Sequence, residues 1–96
     1  MNLAVCRLTL RLPENGSLKG KRRVLKSIEQ RLHNRFNVSV AEVDHNEAWQ
    51  LAGIAICCVA NEAAHARAVV AKAVAAVAAE RLDLEIIDAE TELIGV

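Results

Sequence analysis

Aromatic side chains are nearly missing from this chain: one phenylalanine, Phe36, one tryptophan, Trp49, and no tyrosine. The core must therefore be aliphatic and rich in alanine. The sheet also lacks the aromatic platforms on which RNA-recognition sheets stack splayed bases, which argues against sequence-specific readout of single-stranded RNA. Cysteine is scarce and unpatterned. Cys6, Cys57 and Cys58 are an odd set without CxxC spacing, which argues against a zinc site and a disulfide framework. Alternation in a strand sends Cys57 and Cys58 to opposite faces, and buried free thiols in a reducing cytoplasm are expected.

Other absences narrow the function. There is no glycine-rich phosphate loop, and no serine, cysteine or lysine stands in an activating motif. The expectation is a protein that is not an enzyme, with no cofactor, no bound metal and no small-molecule substrate. No charged-then-apolar segment opens the chain, and no run of about 18 apolar residues occurs. Neither secretion nor membrane spanning is indicated, so a cytoplasmic location is expected.

What is present is a chain of 96 residues, 53% of them apolar, which reads as one folded domain over 1–96. The net charge is zero but unevenly spread: residues 1–48 carry +4 and residues 49–96 carry −4. A basic side and an acidic side follow, open to a polyanion or to head-to-tail association.

Residues 2–12 alternate, with Ala4, Cys6, Leu8, Leu10 and Leu12 on one face and Val5, Arg7, Thr9 and Arg11 on the other. This is a half-buried strand ended by Pro13. Ser17 to Phe36 reads as an amphipathic helix with Ser17 as N-cap. Leu18, Val24, Leu25, Ile28, Leu32 and Phe36 form its apolar stripe. Residues 37–44 form a second strand, and His45-Asn46-Glu47 a turn. Residues 49–60 form a strand apolar on both faces, suited to a sheet interior. Asn61 is placed to cap an alanine-rich helix over 62–81, and residues 82–94 return to strand, Leu84 and Ile86 alternating with Glu85 and Ile87. The order βαββαβ, with right-handed crossovers, predicts an α+β ferredoxin-like domain. Its four-stranded antiparallel sheet would run 4-1-3-2, with two helices on one face.

The first helix carries the clearest functional signal. Its first two and a half turns hold Lys19, Lys21, Arg22, Arg23 and Lys26 and no acid. A helix start favours carboxylates and disfavours cations, by roughly 0.3–1 kcal/mol each. A phosphate there would meet free N–H groups and cationic side chains together. Arg7 and Arg11, on the helix-free face, are further candidates for RNA backbone contact. Lys21 is out of place: its azimuth is that of the apolar stripe, so it must snorkel outward or meet an acid, Glu42 or Asp44. Val5, Leu51, Ala55, Cys57 and Val59 would form an apolar patch on the helix-free face, a candidate homodimer contact. Glu42, Asp44, His45 and Glu47 could in principle hold a divalent ion, but a hairpin turn collects the same residues for solubility. Trp49 reads as a packing residue at the rim rather than a base-stacking one. His33 and His65 fall on polar helix faces and carry no signal.

Three segments together resemble a known family: SLKGKRRVLKSI with the strand before it, RLHNRFNVSVAEVDHNEAWQLA, and the acidic DAETELI. They resemble the YlxP-like family of small bacterial proteins of unknown function. The resemblance implies a ferredoxin-like fold and a setting beside translation-initiation and ribosome-binding factors, hence a role around ribosome assembly. It implies no catalytic residue. Gly20 stands where an acid is common in the SLK-x-KR pattern, which leaves this helix start more positive. The functional expectation is a cytoplasmic protein contacting RNA or a ribosomal particle; the alternative is a homo-oligomeric interaction module that binds no nucleic acid.

Overall fold

A computed structural model describes residues 1–80 and 83–96. Its elements follow the order β1 (Asn2–Arg11), α1 (Leu18–Arg35), β2 (Ser39–Asp44), β3 (Leu51–Ala60), α2 (Ala63–Glu80) and β4 (Glu85–Gly95). The strands form one sheet in the order β2-β3-β1-β4, every neighbouring pair antiparallel. Read from the other edge this is 4-1-3-2, the ferredoxin-like α+β arrangement. The expected last residue of the second helix, 81, and the expected first residue of the last strand, 82, lie outside the described residues.

Alternation explains how one face of the sheet becomes the core. Ala4, Cys6, Leu8 and Leu10 of β1 stand beside Ala52, Ile54, Ile56 and Cys58 of β3, with Cys6 opposite Ile56 and Leu8 opposite Ile54. Both helices close over that face. α1 contributes Leu25, Ile28 and Leu32, and α2 contributes Ala66, Val70, Ala73 and Val77. The alanines let α2 approach closely, so an aliphatic core fills without rings. Truncating a buried side chain such as Ile56 to alanine would cost about 2–5 kcal/mol. None of the described helices is long and apolar enough to cross a membrane.

Two single-residue irregularities bend the sheet. On β4, Ile86 pairs with Leu10 but Asp88 with Thr9, which leaves Ile87 as a bulge. On β2, Glu42 pairs with Ile54 but Asp44 with Gly53, which leaves Val43 extra. Gly53 is what admits the second one: a Cβ there would lie 2.8 Å from Asp44 Cβ and 3.1 Å from its backbone nitrogen.

Several boundaries differ from the sequence expectation: β1 ends at Arg11 and not at residue 12, and β4 runs from Glu85 to Gly95 against an expected 82–94. β2 starts at Ser39 because the Val38 N–H turns back to the Phe36 carbonyl at 3.0 Å. β3 starts at Leu51 because residues 48–50 belong to the preceding loop. In α2, Glu62 holds the capping position, its carbonyl accepting from the Ala66 N–H at 3.1 Å. Asn61 lies one residue ahead, and its carbonyl accepts from Asn2 Nδ2.

A candidate nucleic-acid interface on the first helix

Ser17 starts α1 as expected. It is extended, at φ −159°, and its Oγ accepts from the Gly20 N–H at 2.9 Å. This satisfies one of the donors that a helix start leaves free. Asn15 supports the cap by donating from Nδ2 to the Ser17 and Trp49 carbonyls. Gly20 makes room for it, since a Cβ there would meet Asn15 Oδ1 at 2.4 Å. The first turn holds no acid.

Lys19, Arg22, Arg23 and Lys26 are all exposed, and none of them makes an ion pair among the described residues. Arg22 and Lys26 lean over a groove of about 210 Å³ between α1 and β2 that also presents Glu29 and Glu42. The groove is therefore mixed in charge, while the crest of the helix is uniformly cationic.

Lys21 does not belong to this surface. Its side chain is 1% exposed, and its three Nζ protons are shared among four carbonyls, three in the β2–β3 loop and the fourth on Leu51 at the start of β3. The distances are 2.7 Å to His45, 3.3 Å to Asn46, 2.7 Å to Ala48 and 3.3 Å to Leu51. Glu42 Oε2 lies 3.4 Å away. The acid foreseen for Lys21 is thus present, but backbone oxygens supply most of its surroundings. A buried ammonium with all its donors taken up offers nothing to an outside phosphate, so Lys21 is withdrawn from the contact set.

Arg7 and Arg11 are also separated from the helix. They lie on the opposite face of the sheet, where Arg7 Nε pairs with Asp44 Oδ2 at 3.6 Å and Arg11 Nη2 with Glu85 Oε2 at 2.8 Å. Both pairs are about half exposed, so they hold the side chains only loosely. The two arginines thus stand on a separate face from the α1 crest, each beside a carboxylate of its own subunit and each still half exposed.

The helix-free face brings together only part of the expected patch. Val5 stands opposite Cys57, and Leu3 opposite both Val59 and Ile94. Leu3 and Ile94 were not singled out from sequence, although alternation places them there. Leu51 lies apart at the far end, beside Arg11, and Ala55 sits between the patch and the Arg7–Asp44 pair. Val59 is 52% exposed; Val5, Leu51, Ala55 and Cys57 are half-buried.

The turn cluster is divided among other tasks. Glu42 meets Lys21 and Asp44 meets Arg7, while His45 takes a left-handed conformation at φ 61° and turns its carbonyl to Lys21. No group of three His, Cys, Asp or Glu among the described residues is arranged to hold a metal. Cys57 and Cys58 face opposite sides, and burial, with the neighbouring Cys57 second, pushes the Cys58 thiol up.

Trp49 departs from its expected role. The residue is 55% exposed, so packing does not account for it. Its backbone, by contrast, is pinned. The carbonyls of Ala48, Trp49, Gln50 and Leu51 accept in turn from Lys21 Nζ, Asn15 Nδ2, the Leu12 N–H and Lys21 Nζ again.

Comparison with known proteins gives the same kinship as the motifs. A family described as "Protein of unknown function (DUF503)" matches residues 3–91. A protein of Bacillus subtilis (strain 168), described as "Uncharacterized protein YlxP", is 46% identical over 46 residues. That match covers 48% of this chain and 50% of the relative, so the chain spans about half the length of the relative it matches.

Proposed function

The chain belongs to the DUF503, YlxP-like family of proteins of unknown function, and we propose that it is a non-enzymatic cytoplasmic protein that binds RNA phosphates through the start of α1, in ribosome assembly or translation. The observation that carries this reading is the crest formed by Lys19, Arg22, Arg23 and Lys26. These four cations are exposed and without carboxylate partners among the described residues, on a helix start that has no acid in its first turn. Charges of one sign held there raise the local potential and favour an anion carrying several phosphates. The contacts are to backbone rather than to base edges, so affinity depends on salt and little on sequence.

The test is RNA affinity against salt for the native chain and for Arg22→Glu/Arg23→Glu/Lys26→Glu, using a labelled RNA hairpin. Four phosphate contacts predict a slope of log K on log salt of about −3 for the native chain, and near zero for the variant. Equal affinities with flat slopes would end the proposal.

A second reading is a homo-oligomeric module that binds no nucleic acid. The observation favouring it is the apolar group Leu3, Val5, Cys57, Val59 and Ile94 on a sheet face that no helix covers. Sedimentation over a range of concentrations separates the two. A monomer that binds RNA supports the first reading. A tight dimer indifferent to RNA supports the second.

A further inference from the structure

We infer that the β4 edge of the sheet is a docking site for an extended basic segment of another protein, which adds to it as a fifth strand. Among the described residues β4 pairs with β1 alone, so one of its sides presents an open row of backbone donors and acceptors. Its bulge lies near its start. From Asp88 to Gly95 the pairing with β1, Thr9 through Asn2, is uninterrupted. No proline, lysine or arginine blunts this run, and it is long for an edge strand.

The two faces of the run differ. Asp88, Glu90 and Glu92 stand opposite Thr9, Arg7 and Val5, on the helix-free face. None of the three makes an ion pair among the described residues, because Arg7 is turned to Asp44. Ala89, Thr91 and Leu93 stand opposite Leu8, Cys6 and Ala4, on the helix side, yet all three are exposed. Beyond them lies an open, mostly apolar groove of about 510 Å³ between Leu93 and the flank of α2, where Ala64, Ala68 and Ala71 leave space and Arg67 is the one charged residue of the lining, so this side takes apolar rather than cationic side chains. An incoming strand would send one set of side chains into that groove and the other set onto the carboxylates.

Charge selects the occupant. A second copy adding its own β4 about a two-fold axis would place Asp88, Glu90 and Glu92 of both copies on one face, like charge against like. The other edge, β2, brings Glu42 and Asp44 and fits no better. A segment alternating lysine or arginine with small apolar residues meets both faces. The acids thus discourage self-pairing while leaving the edge open to a cationic strand. This site lies at the sheet edge remote from β2 and from the groove α1 forms with it, so it stands or falls separately from the RNA contact.

The experiment uses the full chain and three labelled peptides of about eight residues, matched to the straight run of β4. One alternates Lys with Val, one alternates Glu with Val, and one is the Lys–Val peptide N-methylated at every second residue. Fluorescence anisotropy should show binding of the Lys–Val peptide, about tenfold weaker binding after N-methylation, and none of the Glu–Val peptide. Glu90→Lys/Glu92→Lys should invert the preference, and Ala68→Phe, which fills the groove from an exposed helix position, should weaken binding about tenfold. No binding of the Lys–Val peptide overturns the proposal. So does equal binding of its N-methylated form, which would reduce the effect to charge alone.

Discussion

Replacing Lys21 by methionine tests the part of the structure on which the helix start depends. Methionine keeps the apolar stem and removes the ammonium, so packing along the side chain is largely retained. What is lost is a set of charge-assisted hydrogen bonds from Nζ. Two of them are 2.7 Å long, to the His45 and Ala48 carbonyls, and two are 3.3 Å long, to Asn46 and Leu51. Hydrogen bonds to charged groups contribute about 1.5–3 kcal/mol each. The short pair therefore dominates, and relief from desolvating an ammonium offsets part of the sum. The expected loss is about 3–4 kcal/mol, a large share of the roughly 5–15 kcal/mol a domain has in total. For a chain of this size that is a fall in Tm of roughly 12–30 °C. Urea titration followed by circular dichroism should show a lowered midpoint with an unchanged slope. Glu42→Gln is the control. Glu42 is 30% exposed and sits 3.4 Å from Nζ, so its loss should cost under about 1 kcal/mol. The reasoning is refuted if Lys21→Met costs less than about 1 kcal/mol, or if Glu42→Gln costs as much as Lys21→Met.

Three further outcomes follow from the geometry. Gly53→Ala should destabilise by about 1–3 kcal/mol in the same titration, because the new Cβ meets the backbone of Asp44 and not the end of a mobile side chain. Gly20→Ala should be near neutral alone, since about 1 kcal/mol of helix propensity is set against displacement of Asn15. In an Asn15→Ala background the same change should stabilise by about 1 kcal/mol, a coupling that a double-mutant cycle reads directly. Native protein treated with iodoacetamide should be alkylated at half-buried Cys57 and spared at buried Cys6 and Cys58, as peptide mapping would show. Because burial raises the Cys58 pKa in the folded state, the stability linked to its thiol is complete below the unfolded value of about 8.5. It is lost as pH rises through the folded one, so Cys58→Ala should flatten the alkaline decline in urea midpoint.

Much of the fold was legible because period-two and period-3.6 patterns are written in side chains. The pairing of β1 with β3 on one buried face follows from alternation alone, and Ser17 declares the start of α1 chemically. The azimuth of Lys21 was enough to show that it needed a partner, and Glu42 was among those named. What could not be read was that the main chain would supply most of that environment. Carbonyl oxygens are the same at every residue, so a cage built from them leaves no trace in sequence. The bulges at Val43 and Ile87 were hidden for a related reason: one extra residue shifts the alternation without changing composition. The fate of Arg7 and Arg11 depended on strand register, which decides whether a cation finds a carboxylate nearby. Trp49 was misplaced because its exposure is set by the loop beneath it and not by its own hydrophobicity.

The bonds from the Lys21 ammonium to the loop and to the first residue of β3 cross 24 to 30 positions of chain. They make the seating of α1 and the closure of the β2–β3 loop a single event, because either one alone strands a charge or a row of carbonyls. Trp49, the sole tryptophan, rides on the outside of that loop. Its emission is therefore an intrinsic gauge of how α1 is seated, readable without any label.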